Sequence, residues 1–166
     1  AGVSGQPDLM VPIGEELSRG VEFDVSGRIL PYWSIMASYA FNVAEISKAP
    51  EGTKDLNLQR PGTPRHSANL WTKFIVPTGM LRNLGIGVGL NGVSERKGQV
   101  GRRENVVSYP GYGLLNLALY YKVREVQLQL NLNNALNKQY YISGYDRLRS
   151  FPGAPRNINI TATYRF

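Results

Sequence analysis

The sequence predicts an all-β chain, an antiparallel up-and-down segment of a transmembrane β-barrel, and three features predict it. Seven segments of its 166 residues alternate apolar and polar side chains with the two-residue period of a strand. The connections between them run short, long, short, long, short, long, as in a sheet with one trimmed and one elaborated rim. The face opposite the apolar one is mostly Ser, Asn, Gln, Gly and Thr. A soluble sheet would show bulk water a face rich in Lys and Glu. Small neutral polar groups suit a crowded, hydrated lumen better.

The first segment is Arg19 to Ile29, with Val21, Phe23, Val25 and Ile29 on one face and Glu22, Asp24, Ser26 and Arg28 on the other. Leu30-Pro31-Tyr32 is a turn, because proline cannot donate to a central ladder. The second segment, Trp33 to Val43, sets Trp33, Ile35, Ala37, Tyr39, Phe41 and Val43 against Ser34, Met36, Ser38, Ala40 and Asn42. A long connection, Ala44 to Pro64, carries three prolines, two glycines and six charges. The third segment, His66 to Val76, alternates Ala68, Leu70, Thr72 and Phe74 with Ser67, Asn69, Trp71 and Lys73; Trp71 is the misfit on the polar face.

After a short connection, Leu84 to Val93 sets Leu84, Ile86, Val88 and Leu90 against Gly85, Gly87, Gly89 and Asn91. A second long connection, Ser94 to Gly111, leads to Tyr112–Val123, whose oily face is Leu115, Leu117, Leu119 and Tyr121. Arg124-Glu125 is a tight turn into a strand that starts at Val126 and is expected to bend at Asn134 and continue toward Tyr141. A third long connection, Ser143 to Pro155, precedes the last strand. There Ile158, Ile160, Ala162, Tyr164 and Phe166 face lipid, and Asn159, Thr161, Thr163 and Arg165 face the lumen.

About ten residues per strand, at ~3.3 Å each and ~45° tilt, span roughly 23 Å, close to the apolar band of such barrels. Aromatics gather at strand ends, at Trp33, Phe41, Tyr112, Tyr121, Tyr140, Tyr141, Tyr164 and Phe166, as in interfacial girdles. Seven strands leave the ends of the sheet on opposite rims, and an open edge in hydrocarbon leaves backbone groups unpaired. Bacterial single-chain barrels have even strand numbers. The chain is therefore expected to be part of a barrel, with further strands upstream. Before Arg19 there is room only for a stub, Leu9-Met10-Val11, halted by Pro12. A soluble β-sandwich binding module is the alternative reading of the same alternation.

Composition narrows the chemistry. With 42% hydrophobic and 19% charged residues the chain is neither disordered nor highly charged. No apolar run approaches the ~18 residues of a membrane helix. There is no cysteine, so disulfide frameworks and cysteine metal sites are excluded. A single histidine, His66, cannot make a usual zinc site or a catalytic set with a visible partner, so no enzyme and no cofactor are expected. His66 reads as a hydrogen-bonding group at the rim. Glu22 and Asp24 share a face with Arg28 and read as a lumen ion network.

Gly87-Val88-Gly89-Leu90-Asn91-Gly92 matches the dinucleotide pattern of glycines but lies inside a strand, with no helix after it. It reads instead as a stripe where something approaches the sheet closely. The net charge is +7, with thirteen Arg against six Lys, and the long loops are basic. Arg102 and Arg103 lie in one, Arg147 in another, with Tyr109, Tyr141 and Tyr145 in or beside them. Arg with Tyr suits an anionic, partly aromatic small ligand. The same arginines equally suit the phosphates of lipopolysaccharide at the outer rim. No compact basic stripe or motif points to nucleic acid.

Ser18–Gly27 (SRGVEFDVSG) resembles the run that opens the closing strands of TonB-dependent outer-membrane receptors, especially those for ferric siderophores. Trp33-Ser34 through Ser38-Tyr39-Ala40, Pro64-Arg65-His66-Ser67 with Leu70-Trp71, and Pro110-Gly111-Tyr112 resemble later segments of that family. So do Asn131-Leu132-Asn133-Asn134 with Lys138-Gln139-Tyr140-Tyr141, Pro152-Gly153-Ala154-Pro155-Arg156, and Tyr164-Arg165-Phe166. They stand in family order from about Gly14 onward. The resemblance implies that the chain is roughly the last third of a plugged barrel of about 22 strands, with the plug domain and TonB-contacting segment upstream and absent here. It implies import of an iron–siderophore complex driven by the TonB complex, contact with outer-membrane lipid and lipopolysaccharide, and reading of Tyr164 and Phe166 by the barrel-assembly machinery. Heme, cobalamin and saccharide importers share this architecture.

Overall fold

The computed structural model describes residues 2–3, 6–10, 14–48, 56–98, 107–144 and 149–166. Seven strands form one antiparallel sheet: β1 (Glu15–Leu30), β2 (Trp33–Lys48), β3 (His66–Ile75), β4 (Leu84–Val93), β5 (Tyr112–Val123), β6 (Val126–Asn133) and β7 (Asn157–Tyr164). They lie side by side in chain order, an uninterrupted meander. Within the described residues β1 pairs only with β2, and β7 only with β6.

The alternation decides the register. One apolar row crosses six strands as Trp33, Phe74, Ile86, Leu119, Leu130 and Ile160, each opposite the next. The adjacent row, Ser34, Lys73, Gly87, Ala118, Asn131 and Asn159, lies on the other face. A slip by one residue would exchange the two faces, so the pattern specifies the pairing strongly. In β7, Ile158, Ile160, Ala162 and Tyr164 stand opposite Leu132, Leu130, Leu128 and Val126.

The apolar face has no second layer over it. The buried hydrophobic residues among those described are Ala44, Tyr109 and Ala118, while Phe23 is 62% and Ile160 74% exposed. A β-sandwich buries this face against a second sheet. A single sheet with a large bare apolar face belongs in lipid. The one outward indole is satisfied within the face: Trp33 Nε1 donates to Thr72 Oγ1 at 2.8 Å, so no N–H is left unpaired there.

The structure differs from the sequence expectations at identifiable places. β1 and β2 are 16 residues each, longer than the alternation suggested. Their extensions mix Glu15, Glu16, Ser18, Glu45, Ser47 and Lys48 with Leu17, Ala44 and Ile46, and the hairpin ladder continues to Glu15 opposite Lys48, supported by Glu15–Lys48 (2.5 Å) and Glu16–Arg60 (2.7 Å) ion pairs. β6 does not run on toward Tyr141. It stops at Asn133 because Asn134 adopts φ 48° and turns the chain. The stub near Leu9 belongs to a separate ribbon, Gln6–Met10 paired with Gly2–Val3; Val11 and Pro12 lie outside the described residues.

The expected ion network of Glu22, Asp24 and Arg28 does not form. None of the ion pairs among the described residues includes them. Along a strand, Asp24 and Arg28 are about 13 Å apart at ~3.3 Å per residue, and the residues opposite them are Ser38 and Ser34. His66 does hydrogen-bond at the rim: its Nδ1 lies 2.8 Å from the Tyr39 hydroxyl and its N–H donates to Ser94 Oγ at 3.0 Å.

Candidate functional site

Two features of the polar face bear on function. The first is a relay of neutral side chains crossing the wall. Asn69 donates to Ser38 Oγ (3.2 Å), Asn91 to Asn69 Oδ1 (2.6 Å) and Asn116 to Asn91 Oδ1 (2.6 Å). The Asn134 N–H then donates to Asn116 Oδ1 at 3.0 Å. Asn134 is itself buried, 3% exposed; its side chain donates to the carbonyls of Lys138 and Ala154 and accepts from the Lys138 N–H. The relay thus runs from β2 to the third long connection. A hollow of about 420 Å³ opens beside it, lined on the polar side by Asp24, Ser26, Ser38, Asn69, Trp71 and Asn91.

Within that wall the misfit tryptophan and the glycine stripe account for each other. A Cβ on Gly87 would come within 2.7 Å of Trp71 Cζ2, and one on Gly89 within 2.6 Å of Cζ3. The close approach expected at the stripe is the Trp71 indole, carried by the neighbouring strand. Gly87 and Gly89 make room for the ring.

The second feature is an Arg–Tyr cluster at the rim of long connections. Two short ribbons rise there: Arg96–Lys97 paired with Ser108–Tyr109, and Tyr141–Gly144 paired with Ser150–Pro152. Arg96 is 5% exposed and donates from its two terminal nitrogens to the carbonyls of Ile142 (2.8 Å) and Tyr141 (2.5 Å). Its guanidinium lies 5.2 Å from the Tyr112 ring centre, within cation–π range. Tyr112 in turn packs on Tyr140 with centroids 4.4 Å apart. Tyr109, 4% exposed, packs on Tyr141 at 6.0 Å and hydrogen-bonds Ser150 Oγ at 3.0 Å.

Of the residues expected to contact a ligand, the fold brings Tyr109 and Tyr141 together. Tyr109 is buried in the cluster, whereas Tyr141 is 46% exposed. Arg102, Arg103, Tyr145 and Arg147 lie outside the described residues. Tyr112 and Tyr140, expected in a lipid girdle, belong to the cluster instead, because Tyr112 shares the parity of Asn116 and the polar face. In the sequence Arg96 is one of several cations of the basic second long connection, with Lys97, Arg102 and Arg103. Nothing in its neighbours announces that it is buried, because its acceptors are 45 residues or more away. At the chain end, Tyr164 and Phe166 stack at 6.4 Å on the apolar side.

A seven-stranded meander with one bare apolar face and one relay-lined polar face is the wall of an outer-membrane β-barrel. A family model described as TonB dependent receptor-like, beta-barrel matches residues 2–135. The chain belongs to that family.

It is 29% identical over 159 residues to the catecholate siderophore receptor Fiu of Escherichia coli, covering 92% of this chain and 20% of that receptor. It is 27% identical over 165 residues to the metal-pseudopaline receptor CntO of Pseudomonas aeruginosa, covering 96% of this chain and 22% of that one. The crystal structure of the siderophore receptor PiuA from Acinetobacter baumannii superimposes with a TM-score of 0.77 at 25% identity, covering 91% of this chain and 22% of that one. The chain thus spans about a fifth of the length of the curated relatives it matches.

Proposed function

We propose that this chain forms the C-terminal part of the barrel of an outer-membrane receptor that takes up a ferric siderophore, energised through the TonB complex. The observation that carries this reading is the identity of its relatives. Over more than nine-tenths of this chain they are receptors named for a catecholate siderophore and for metal-pseudopaline. The Arg–Tyr composition of the rim agrees, since cations and rings suit an anionic, partly aromatic chelate.

In this reading β1 and β7 pair with further strands of the same receptor, which removes both open edges from the hydrocarbon. The polar wall offers Asn, Ser and Trp groups to what fills the barrel, and the TonB complex acts through a plug domain upstream. Lipid and lipopolysaccharide meet the outer face, and Tyr164 and Phe166 serve the barrel-assembly machinery. Arg102, Arg103, Tyr109, Tyr141, Tyr145 and Arg147 remain the proposed ligand contacts. Of the two tyrosines described, the exposed Tyr141 fits that role better than the buried Tyr109.

The test is uptake of radiolabelled ferric complexes of a catecholate siderophore and of a pyoverdine by cells with and without the full-length receptor. Receptor-dependent uptake that stops when the proton-motive force is collapsed is the expected result. Receptor-dependent uptake of heme, cobalamin or a saccharide in its place would overturn the siderophore assignment. Replacing Arg102 and Arg103 together should lower uptake of the anionic chelate, and unchanged uptake would remove them from the site.

A further inference from the structure

We infer that Arg96 is a clasp that ties the long connections at the rim into one body, and that it acts on ligand uptake through their positions and not through contact with the ligand. Its fork of donors spans two successive carbonyls, those of Tyr141 and Ile142, on a ribbon 45 residues further along the chain. The next residue ties a third connection: the Gly62 N–H donates to the Lys97 carbonyl at 2.8 Å. Tyr109, across the ribbon from Arg96, completes the joint by its hydrogen bond to Ser150 and its packing on Tyr141. All three long connections therefore meet at Arg96-Lys97.

The burial of Arg96 gives the clasp its character. A carboxylate partner would hold the guanidinium wherever the pair happened to sit. Among the described residues it has none, and its Nε is buried without a hydrogen-bond partner. Among the described residues, the two carbonyls and the Tyr112 ring are what stabilise the charge. Opening the joint would cost both carbonyl bonds of a buried cation, so these bonds favour the closed arrangement. Since Nε and the terminal donors face inward, a ligand at the mouth meets the ribbons that Arg96 holds and not Arg96 itself.

The fit is close on the other side as well. A Cβ on Gly144 would run into the Tyr109 hydroxyl and come within 3.0 Å of the Arg149 carbonyl. Gly144→Ala is therefore a wedge in the same joint that leaves the Arg96 charge in place.

The test uses the full-length receptor in three forms, Arg96→Met, Arg96→Lys and Gly144→Ala, each first checked to be a folded barrel. Amide hydrogen exchange should rise at least tenfold in Arg96–Lys97, Ser108–Tyr109 and Tyr141–Gly144 in Arg96→Met and Gly144→Ala, with β3 to β6 unchanged. Lysine lacks the planar fork, so Arg96→Lys should protect the ribbons only in part. Uptake of a radiolabelled ferric catecholate should show a raised half-saturation concentration in both strong variants, with the maximal rate less affected. Unchanged exchange in either would overturn the clasp. Faster exchange in both with impaired uptake only in Arg96→Met would mean that Arg96 acts by its charge and would overturn the positioning role. The uptake arm rests on the receptor reading above. If the unaltered receptor takes up no ferric catecholate, that reading fails for this ligand while the exchange result still decides the clasp.

Discussion

The Trp71 indole lies across the backbone of Gly89, so near that a Cβ there would sit 2.6 Å from ring carbon Cζ3. The two residues are directly opposite on β3 and β4, and the ring reaches over Gly87 as well. Bulk on one strand is matched by its removal on the next. Gly89→Ala should therefore destabilise the barrel by about 1–3 kcal/mol through overpacking. Trp71→Ala should relieve that cost, leaving the double variant more stable than the sum of the singles by at least ~0.5 kcal/mol. Urea unfolding of the four proteins in lipid vesicles measures the coupling, and strict additivity would refute the contact.

Asn134 ends β6 and anchors the relay. Its amide side chain makes three hydrogen bonds to backbone groups of Lys138 and Ala154, and its φ is 48°. Asn134→Ala should lose the bonds and add left-handed strain, for a total of about 3 kcal/mol. Asn134→Gly removes the strain alone and should recover about 1 kcal/mol of that. Equal stability of the two variants in the same unfolding assay would contradict this division.

Leu117 lies halfway along β5 on the apolar face, opposite Val88 and Leu132. Leu117→Arg should cost ~2–4 kcal/mol, the range for a cation at the bilayer midplane. Thr161→Arg, on the polar face of β7, should stay within about 0.5 kcal/mol of the unaltered protein. Folding free energies into vesicles of matched thickness test both. A near-neutral Leu117→Arg would argue against lipid exposure there.

Glu95, in the second long connection and outside the membrane-spanning strands, has its carboxyl held below the ordinary carboxylate range. The causes are the hydrogen bond from Lys97, then that from Ser108, then the Lys97 charge. Because the folded pKa is depressed, the contact stabilises the connection above the ordinary carboxylate pKa. It is lost as pH falls through the lower, folded value. Carboxyl-carbon NMR should find Glu95 titrating below other surface glutamates. Lys97→Met should return it toward them, and high salt should weaken the difference. Titration of Glu95 with the others in the unaltered protein would exclude the pairing.

Strand number, order and facing were legible in the sequence because they rest on a period of two, which one wrong residue does not erase. Leu84–Val93 and Tyr112–Val123 are strands at the bounds the alternation indicated. The extensions of β1 and β2 were not legible. They are held by backbone pairing and by ion pairs between residues far apart in the chain, Glu15 with Lys48 and Glu16 with Arg60, which no local pattern records.

The sequence by itself determined the wall: an apolar face, a polar face, and loops on one rim. It did so because each side chain's facing depends only on its parity along the strand. Tertiary structure decided what Trp71 rests on, that Asn134 ends a strand, and that Arg96, among the arginines of the described residues, is the one buried between ribbons. Each of these depends on a partner brought across the sheet or across two connections. A buried guanidinium is specified by the carbonyls that receive it, and those carbonyls converge only once the strands beneath them are in register.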